Sequence, residues 1–394
     1  MNDSDPDLLP EGLEDRLPAA AAAGARVTRA ILDCLDSHGY DRVIPPLIEF
    51  ERGLAGRMAG VQPRRMFRFV DPSSLRTLAL RSDITPQIGR IAETRLAAAP
   101  RPLRLCYAGQ VATIRGDGLD PTRERLQCGA ELIGNDSVAA AAEIARVAIL
   151  ALEAAGAGAG TGAVSIDFTL PDLVDTLAGV DADGALPLAP DAIEAVRREL
   201  DSKDAGGLVA AGGASYLPLL YATGPFDQAI ERLAAFDADD AGARGALASR
   251  IAGLREIAAR LGSIVDRGAA RITLDPTERH GFEYQSWFGF TLYAPASRGA
   301  IGRGGTYRIM RAETGVDGEG GEVATGFSLY PDALAEGTSG EARDALFLPS
   351  GHDPAIADRL RAIGWRTIAA LGDDDDAAAL GCTHVLDGAE PRPL

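Results

Sequence analysis

Two clusters of polar side chains are placed where they could bind a charged small molecule. The first cluster comprises Arg81, Asp83 and Thr85, and the second comprises Arg125, Gln127 and Glu131. Carboxylates at Asp83 and Glu131 would bind an ammonium group, and Gln127 would orient that group by hydrogen bonds. A polar strand face often simply faces solvent. These residues alone therefore leave two interpretations open, a pocket with a sheet as its floor and a solvated strand face.

A predicted strand–loop–strand segment at residues 103–134 would position the second cluster. The first strand is predicted over about 103–114 and the second over about 124–133, joined by a charged loop rich in turn formers. The second strand alternates with period two. One face carries Leu126, Cys128, Ala130 and Leu132, and the other carries Arg125, Gln127, Gly129 and Glu131. A loop of this length between paired strands is more often functional than structural.

Composition excludes several classes of protein. The 394 residues carry a net charge of -18, which argues against broad nucleic-acid binding because that needs a cationic surface. No apolar run reaches the roughly 18 residues of a membrane span, and the acidic start is wrong for a signal peptide. The four cysteines and four histidines lack metal-ligand spacing. We therefore predict a cytoplasmic chain with no membrane contact, no metal and no cofactor.

The order of the elements predicts an α+β fold. A polar N-terminal arm at 1–16 precedes a core at 17–336, which has a helical insertion at about 170–268 and is followed by a short α/β region at 341–394. Pro45 and Pro46 restrict the extended segment at 40–50 to an edge strand or an interface. The other strands come in antiparallel-looking runs rather than in alternation with helices. Further strands are predicted at 66–71, 75–80, 164–168, 271–274, 282–293, 299–310, 323–330, 346–349 and 367–371, and helices at 18–38, 83–98, 137–155, 190–200, 225–236, 241–261 and 354–363.

A glycine-rich strand at 302–305, GRGG, lacks the spacing of a phosphate-binding loop. It indicates either a close approach of two backbones or a ligand that lies against a glycine-lined sheet. No pairing of a nucleophile with a base is visible in the sequence. The residues by themselves thus indicate an α+β protein with a candidate small-molecule pocket.

Six collinear segments resemble class II aminoacyl-tRNA synthetases of the histidyl type. The segment at 106–134, CYAGQVATIRGDGLDPTRERLQCGAELIG, resembles motif 2. The others are GYDRVIPPLIEF at 39–50 (motif 1), LALRSDITPQIGRI at 78–91, GFEYQSWFGFTLY at 281–293, IGRGGTYRI at 301–309 and VATGFSLYPDAL at 323–334 (motif 3). The resemblance implies a class II synthetase-like antiparallel sheet flanked by helices.

The chain departs from this pattern at the arginines that hold ATP in a synthetase. Motif 2 has Ala112, Thr113 and Arg115 at the matching positions, motif 3 has Ala333, and His280 precedes the histidine-specific strand. Neutral side chains do not replace the charged fork of arginine, and adenylate formation depends on such electrostatic clamping. Arg115 could substitute for at most one of the three arginines, so we expect no aminoacylation.

A synthetase-like chain without the ATP arginines, and with a short acidic C-terminal region, is similar to the regulatory subunits of ATP phosphoribosyltransferase. That resemblance implies a non-catalytic subunit that forms a hetero-octamer with the short-form catalytic subunit. The complex would catalyse the first step of L-histidine biosynthesis under histidine feedback control, and the subunit would not bind tRNA. Two alternatives stay open, an active synthetase and a synthetase paralogue with an amino-acid-sensing or carrier-modifying role.

The resemblance also implies a histidine-binding pocket in this subunit. Asp83, Thr85, Gln127 and Glu131 match positions that hold the α-amino group of histidine, and Arg115 is added as a candidate ligand contact. Tyr284 matches the first tyrosine of the histidine-specific strand, whereas Gln285 replaces the second tyrosine. The feedback site could instead lie at the boundary with the catalytic subunit. Motif 1 implies a homodimer, with residues 40–50 near its two-fold axis.

Overall fold

The computed structural model divides into two compact units, Met1–Gly337 and Thr338–Leu394. The first unit contains a nine-stranded and a three-stranded sheet, and the second unit contains a four-stranded sheet. The structure describes residues 8–55, 65–116, 121–158, 162–179, 185–239, 242–279, 285–295, 297, 299–310, 321–332, 334 and 344–394. Among these described residues, no helix is long and apolar enough to cross a membrane.

The first unit contains twelve strands and nine α-helices within the described ranges. The helices are α1 (Pro18–Ser37), α2 (Glu51–Ala55), α3 (Thr85–Thr94), α4 (Val138–Ala154), α5 (Leu173–Ala178), α6 (Ile193–Asp201), α7 (Ala205–Ala210), α8 (Phe226–Ala238) and α9 (Ala248–Asp266). The strands are β1 (Asp41–Arg42), β2 (Ile48–Phe50), β3 (Arg68–Val70), β4 (Thr77–Leu80), β5 (Leu103–Ala112), β6 (Glu124–Ile133), β7 (Val164–Thr169), β8 (Gly224–Pro225), β9 (Ala270–Leu274), β10 (Gln285–Tyr293), β11 (Ala300–Ile309) and β12 (Glu322–Leu329). A 3-10 helix at Ala214–Tyr221 lies between α7 and β8.

Nine of these strands form one mixed sheet in the order β1-β5-β6-β12-β11-β10-β7-β9-β8. Its central pairings, from β5 through β7, are antiparallel. The β1–β5 and β7–β9 pairings are parallel. The strands β2, β4 and β3 form a separate small antiparallel sheet. The predicted α+β class is confirmed. The segment at 40–50 contributes an edge strand to each of the two sheets, β1 and β2, and the two prolines lie between them.

The two faces of β6 have different chemistry, as the period-two pattern predicts. Cys128, Ala130 and Leu132 are buried in the core beneath α1, α4 and α9. Gln127 and Glu131 are equally buried, but on the opposite face, where α3 packs. The polar face of the strand is therefore enclosed rather than solvated.

Several helix ends differ from the sequence prediction. The helix α3 begins after Ile84, which makes no side-chain cap, and so starts two residues later than the predicted helix at 83–98. Asp83 instead accepts a hydrogen bond from the backbone N–H of Thr85 at 2.9 Å. The helix α9 begins at Ala248 rather than near residue 241, because the chain turns through 242–247 first. Ser137 caps α4 at the predicted start of that helix, since its hydroxyl accepts from the N–H of Ala140.

The second unit contains a four-stranded sheet with the order β14-β13-β15-β16. Its described elements are β13 (Ala345–Leu348), α10 (Pro354–Ala362), β14 (Arg366–Ala369), β15 (His384–Asp387) and β16 (Glu390–Pro393). The strand β13 runs parallel to both β14 and β15. Leu346, Leu348 and Leu360 form its small core. The sequence prediction missed the two final strands, of which β16 holds two prolines and lies at the edge.

Candidate functional site

Glu131 is at the centre of a buried hydrogen-bond network on the α3 face of the large sheet. Its side chain is only 1% exposed. The Tyr107 hydroxyl donates to Oε1 of Glu131 at 3.1 Å, and the Tyr307 hydroxyl donates to Oε2 at 2.7 Å. Both carboxyl oxygens therefore have a phenol partner within the chain.

Strand register gives the Glu131 side chain its space. Glu131 on β6 lies opposite Gly326 on β12, which lies opposite Gly305 on β11, which in turn lies opposite Gly289 on β10. A Cβ atom at position 326 would overlap with Oε2 of Glu131. The glycine at position 326 thus makes room for the Glu131 carboxyl group, and the glycine at position 305 makes room for the Gln285 side chain.

Gln127 is the second centre of the network, next to Glu131. Its Nε2 donates to Oδ1 of Asp83 and to the hydroxyl of Ser328, each at 2.7 Å. Its Oε1 accepts from the backbone N–H of Ile84 at 2.9 Å, which ties the strand to the start of α3. The amide is therefore fixed in one orientation by the residues around it.

Thr85 and Ser328 lie next to the Tyr107 hydroxyl, and Ser328 thereby connects Glu131 with Gln127. That hydroxyl lies 3.2 Å from Oγ1 of Thr85 and 3.1 Å from Oγ of Ser328. Four of the sequence-predicted site residues, Asp83, Thr85, Gln127 and Glu131, thus belong to one network. Sequence reasoning missed Tyr107, Tyr307 and Ser328. A Cβ atom at Gly129, which lies opposite Tyr107, would overlap with the Tyr107 hydroxyl, but a glycine in a strand does not by itself point to that tyrosine.

Burial sets the protonation state of this site. It raises the pKa of Glu131 to about 8, and the nearby charge of Asp83 adds to the rise. Burial also raises the pKa of Tyr107 well above its ordinary value, so this phenol stays a donor. Glu131 therefore holds a proton at neutral pH in the unliganded chain. A cationic ligand group would favour the carboxylate, so its binding would release that proton.

The two arginines of the predicted clusters have structural roles. Arg81 is buried, and its guanidinium donates to the carbonyl oxygens of Gln110 at 2.7 Å and Pro45 at 2.9 Å. It thereby joins the motif 1 segment to β5. The Arg125 guanidinium lies over the ring of Tyr330 with its carbon 5.1 Å from the centroid. No hydrogen bond that the structure describes joins either arginine to Glu131 or Gln127.

The remaining predicted residues lie at the margin of the network. Arg115 is exposed beyond the end of β5, and no hydrogen bond among the described residues joins it to Glu131 or Gln127. Gln285 pairs with Tyr307 across β10 and β11, next to a register shift. Its Oε1 is buried and has no hydrogen-bond partner in the part of the chain that the structure describes. It is thus a free acceptor beside the network. Tyr284, His280 and Ala333 lie outside the described residues.

The close approach of Gln285 explains one part of the glycine-rich strand. Gly305 has a φ of +154°, and a Cβ atom there would overlap with Oε1 of Gln285. A side chain at position 305 would also be strained by that backbone conformation. Close packing of neighbouring residues therefore accounts for the glycines of this strand.

Glu131 should make the free energy of unfolding depend on pH. Because burial raises its pKa from 4.5 to about 8, the folded chain holds a proton in this interval that the unfolded chain has lost. Stability should therefore fall as pH rises through the interval, with a slope that approaches about 1.4 kcal/mol per pH unit for one proton. Urea unfolding of the wild type and of Glu131→Gln, between about pH 5 and 8, measures how much of the pH dependence of the unfolding free energy comes from Glu131. Equal slopes in the two proteins would contradict it.

Comparison with known proteins identifies the family. A family model for histidyl-tRNA synthetase matches residues 12–334. The ATP phosphoribosyltransferase regulatory subunit of Paramagnetospirillum magneticum is 39% identical over 388 residues, which cover 96% of this chain and 96% of that protein. The regulatory subunit of Rhodospirillum centenum is 39% identical over 391 residues, covering 97% of this chain and 95% of that protein.

A solved structure supports the fold independently. It is that of an ATP phosphoribosyltransferase regulatory subunit/histidyl-tRNA synthetase from Bacillus halodurans, which is 22% identical and has a TM-score of 0.75. The match covers 96% of this chain and 97% of that one. The class II synthetase-like fold predicted from the six motifs is thereby confirmed. The two relatives at 39% identity confirm the resemblance to the regulatory subunits. The chain has a histidyl-tRNA synthetase-like fold and belongs to the family of ATP phosphoribosyltransferase regulatory subunits.

Proposed function

We propose that this chain is the regulatory subunit of an ATP phosphoribosyltransferase and has no catalytic activity of its own. It acts with the short-form catalytic subunit in the first step of L-histidine biosynthesis and mediates histidine feedback. The observation that carries the proposal is a difference between the two halves of the strand–loop–strand segment at 103–134. One half keeps the residues of an amino-acid site, and the other has lost the arginine of an ATP site. The amino-acid side, at Gln127 and Glu131, keeps a complete polar network. The ATP side has Ala112 and Thr113 where a synthetase has its arginine.

Formation of a complex tests the partner. The full-length chain, mixed with a short-form catalytic subunit at micromolar concentrations, is expected to co-purify with it as a hetero-octamer. Native mass spectrometry gives the subunit count directly. Separate elution of the two proteins under all conditions would overturn the proposed partnership.

Arg123, at the second end of the motif 2 loop, is engaged in the fold, which supports a non-catalytic role. Arg123 donates to the carbonyl oxygen of Glu11 at 3.0 Å and stacks over Phe67 with 4.9 Å between the guanidinium carbon and the ring centroid. Its backbone also pairs with Thr113. Such a cation is not available to neutralise a triphosphate.

We therefore expect no histidine-dependent ATP–pyrophosphate exchange by this chain. A histidyl-tRNA synthetase assayed in parallel serves as the positive control. Exchange above the protein-free background that requires histidine would show that the ATP site is intact, and it would support the synthetase alternative.

The small sheet supports the proposed homodimer. Apolar side chains are exposed on and around its strands, among them Ile44 (75% exposed), Ile48, Phe69 and Val70. They adjoin the extended segment at 40–50. An exposed apolar patch of this kind marks an interaction surface, and a two-fold axis through the motif 1 segment would cover it with its own copy.

The substitution Ile44→Asp is expected to shift the homodimer towards monomer, because it places a charge in that proposed interface. The matched control is Leu371→Asp, an equally drastic change at a 99% exposed leucine of the second unit. Sedimentation equilibrium measures both variants. A dimer constant unchanged by Ile44→Asp would exclude this surface.

The remaining features of the proposal concern location and ligands. The net charge of -18 disfavours tRNA binding, which relies on basic surfaces. We place the chain in the cytoplasm, where histidine biosynthesis proceeds. The proposed effector is histidine, bound at Asp83, Thr85, Gln127 and Glu131, with Gln285, Tyr284 and Arg115 as further candidate contacts.

A further inference from the structure

A cleft opens on the face of the large sheet opposite to that of Glu131. Its volume is about 380 Å³, within the range of small-molecule sites. One side is formed by Arg104 of β5 and Leu132 of β6, which lie directly opposite each other. The other side is formed by the first two turns of α4 and by Arg260 of α9. Leu132 belongs to the helix-covered core, so this cleft and the Glu131 network are separated by the sheet.

The cleft is basic in a strongly acidic chain. Three arginines line it, Arg104, Arg146 and Arg260, against a single carboxylate, Glu143. Arg104 and Glu143 form a two-point ion pair at 2.8 and 2.9 Å. The hydrogen bond from Arg104 holds the pKa of Glu143 below its ordinary value. The carboxylate charge in the cleft is thus already matched by Arg104.

The other two arginines, Arg146 and Arg260, are the source of positive charge in the cleft. Arg146 donates to the hydroxyl of Ser263 at 3.1 Å, a neutral acceptor, and forms no ion pair among the described residues. Arg260 pairs with Glu256 one turn earlier on α9, with both side chains 51% exposed. An exposed pair of this type contributes little, so Arg260 can rotate towards a stronger acceptor.

The start of α4 adds to the positive potential. This helix has 17 residues and no acidic side chain in its first turn. The dipole of a helix places partial positive charge at its N-terminus. Ala139 and Ala142 line the cleft with methyl groups only, so the space between the arginines stays open.

We propose that this cleft binds a small multivalent oxyanion, either a phosphate or a carboxylate compound, through Arg146 and Arg260. Guanidinium groups bind both of these anions by paired N–H donors. The proposal concerns a different face of the sheet from the proposed histidine pocket, and it does not depend on the regulatory role.

Calorimetric titration of the full-length chain at low salt tests the site, with inorganic pyrophosphate and citrate as the two probes. Saturable binding of pyrophosphate alone would identify a phosphate ligand, and binding of citrate alone a carboxylate ligand. The double variant Arg146→Gln/Arg260→Gln is expected to lower the affinity for the probe that binds by at least about tenfold. Added salt should weaken binding further.

Two further variants keep the test specific. Arg255→Gln removes another α9 arginine that is 47% exposed and pairs with Glu231, but lies outside the cleft, so it should leave binding unchanged. Ala139→Glu puts a carboxylate into the cleft at a helix position that favours acidic residues, and should abolish binding in a folded chain. Absence of saturable binding of both probes would overturn the proposal. So would an equal effect of Arg255→Gln and the double variant.

Discussion

Replacing Glu131 with alanine is expected to weaken histidine binding to this chain by about 1–3 kcal/mol, the usual cost of losing one charged hydrogen-bond partner. Glu131 is the buried carboxyl group of the proposed pocket, and both of its oxygens are already aligned by Tyr107 and Tyr307. A cationic group of the ligand would turn it into a carboxylate held by two phenols. Alanine would remove that charge and leave both hydroxyls without their acceptor.

Isothermal titration calorimetry of the isolated subunit with histidine measures this effect. The matched control is Glu124→Ala, which removes an exposed glutamate from the other end of the same strand and should leave the affinity unchanged. Titration near pH 8 is preferable, since Glu131 loses its proton around that pH. No detectable binding by the wild type would exclude a histidine site in this subunit, and equal affinity of wild type and Glu131→Ala would exclude Glu131 from it.

Substitution of Gly326 with alanine is expected to cost about 1–3 kcal/mol of folding free energy, as overpacking of a tight core usually does. The new methyl group would overlap with the Glu131 carboxyl group. Glu131 would have to move, and its hydrogen bonds with Tyr107 and Tyr307 would be lost or distorted. The same variant should therefore also weaken histidine binding.

A double-mutant cycle isolates the cause. In the Glu131→Ala background the carboxyl group is gone, so Gly326→Ala should destabilise less than it does in the wild type. The 2.9 Å approach of the added Cβ atom to the carbonyl oxygen of Ala130 is the cost that remains. Gly24→Ala is a control at a helix position where no atom lies within 4 Å of the added Cβ. It should be neutral or stabilise the chain by up to about 1 kcal/mol. Additive effects of Glu131→Ala and Gly326→Ala would contradict the proposed overlap.

The strand that carries Glu131 was predictable because its signal is local. Period-two alternation gives both the bounds of β6 and the division of its side chains between two faces. The alternation could not decide whether the polar face was solvated. That depends on α3, whose contact with Gln127 through Ile84 spans 43 positions in the sequence.

The phenols of the site were not predictable from local patterns. Tyr107 and Tyr307 reach Glu131 from 24 and 176 positions away, and they do so only because β5, β6, β12 and β11 pair in a particular register. Tyrosines in β-prone segments are common, so neither residue stands out by itself. The last strand, β16, was missed for a different reason, since its prolines at 391 and 393 obscure a strand that lies at the edge of a sheet.

The measurement that tests the account most directly is the ATP phosphoribosyltransferase rate of a short-form catalytic subunit titrated with this chain. We predict that the rate rises to a plateau as the subunit is added, and that histidine lowers the rate of the complex. A rate that stays at its value for the catalytic subunit alone, across a micromolar titration in which the two proteins are folded, would contradict the proposed regulatory function.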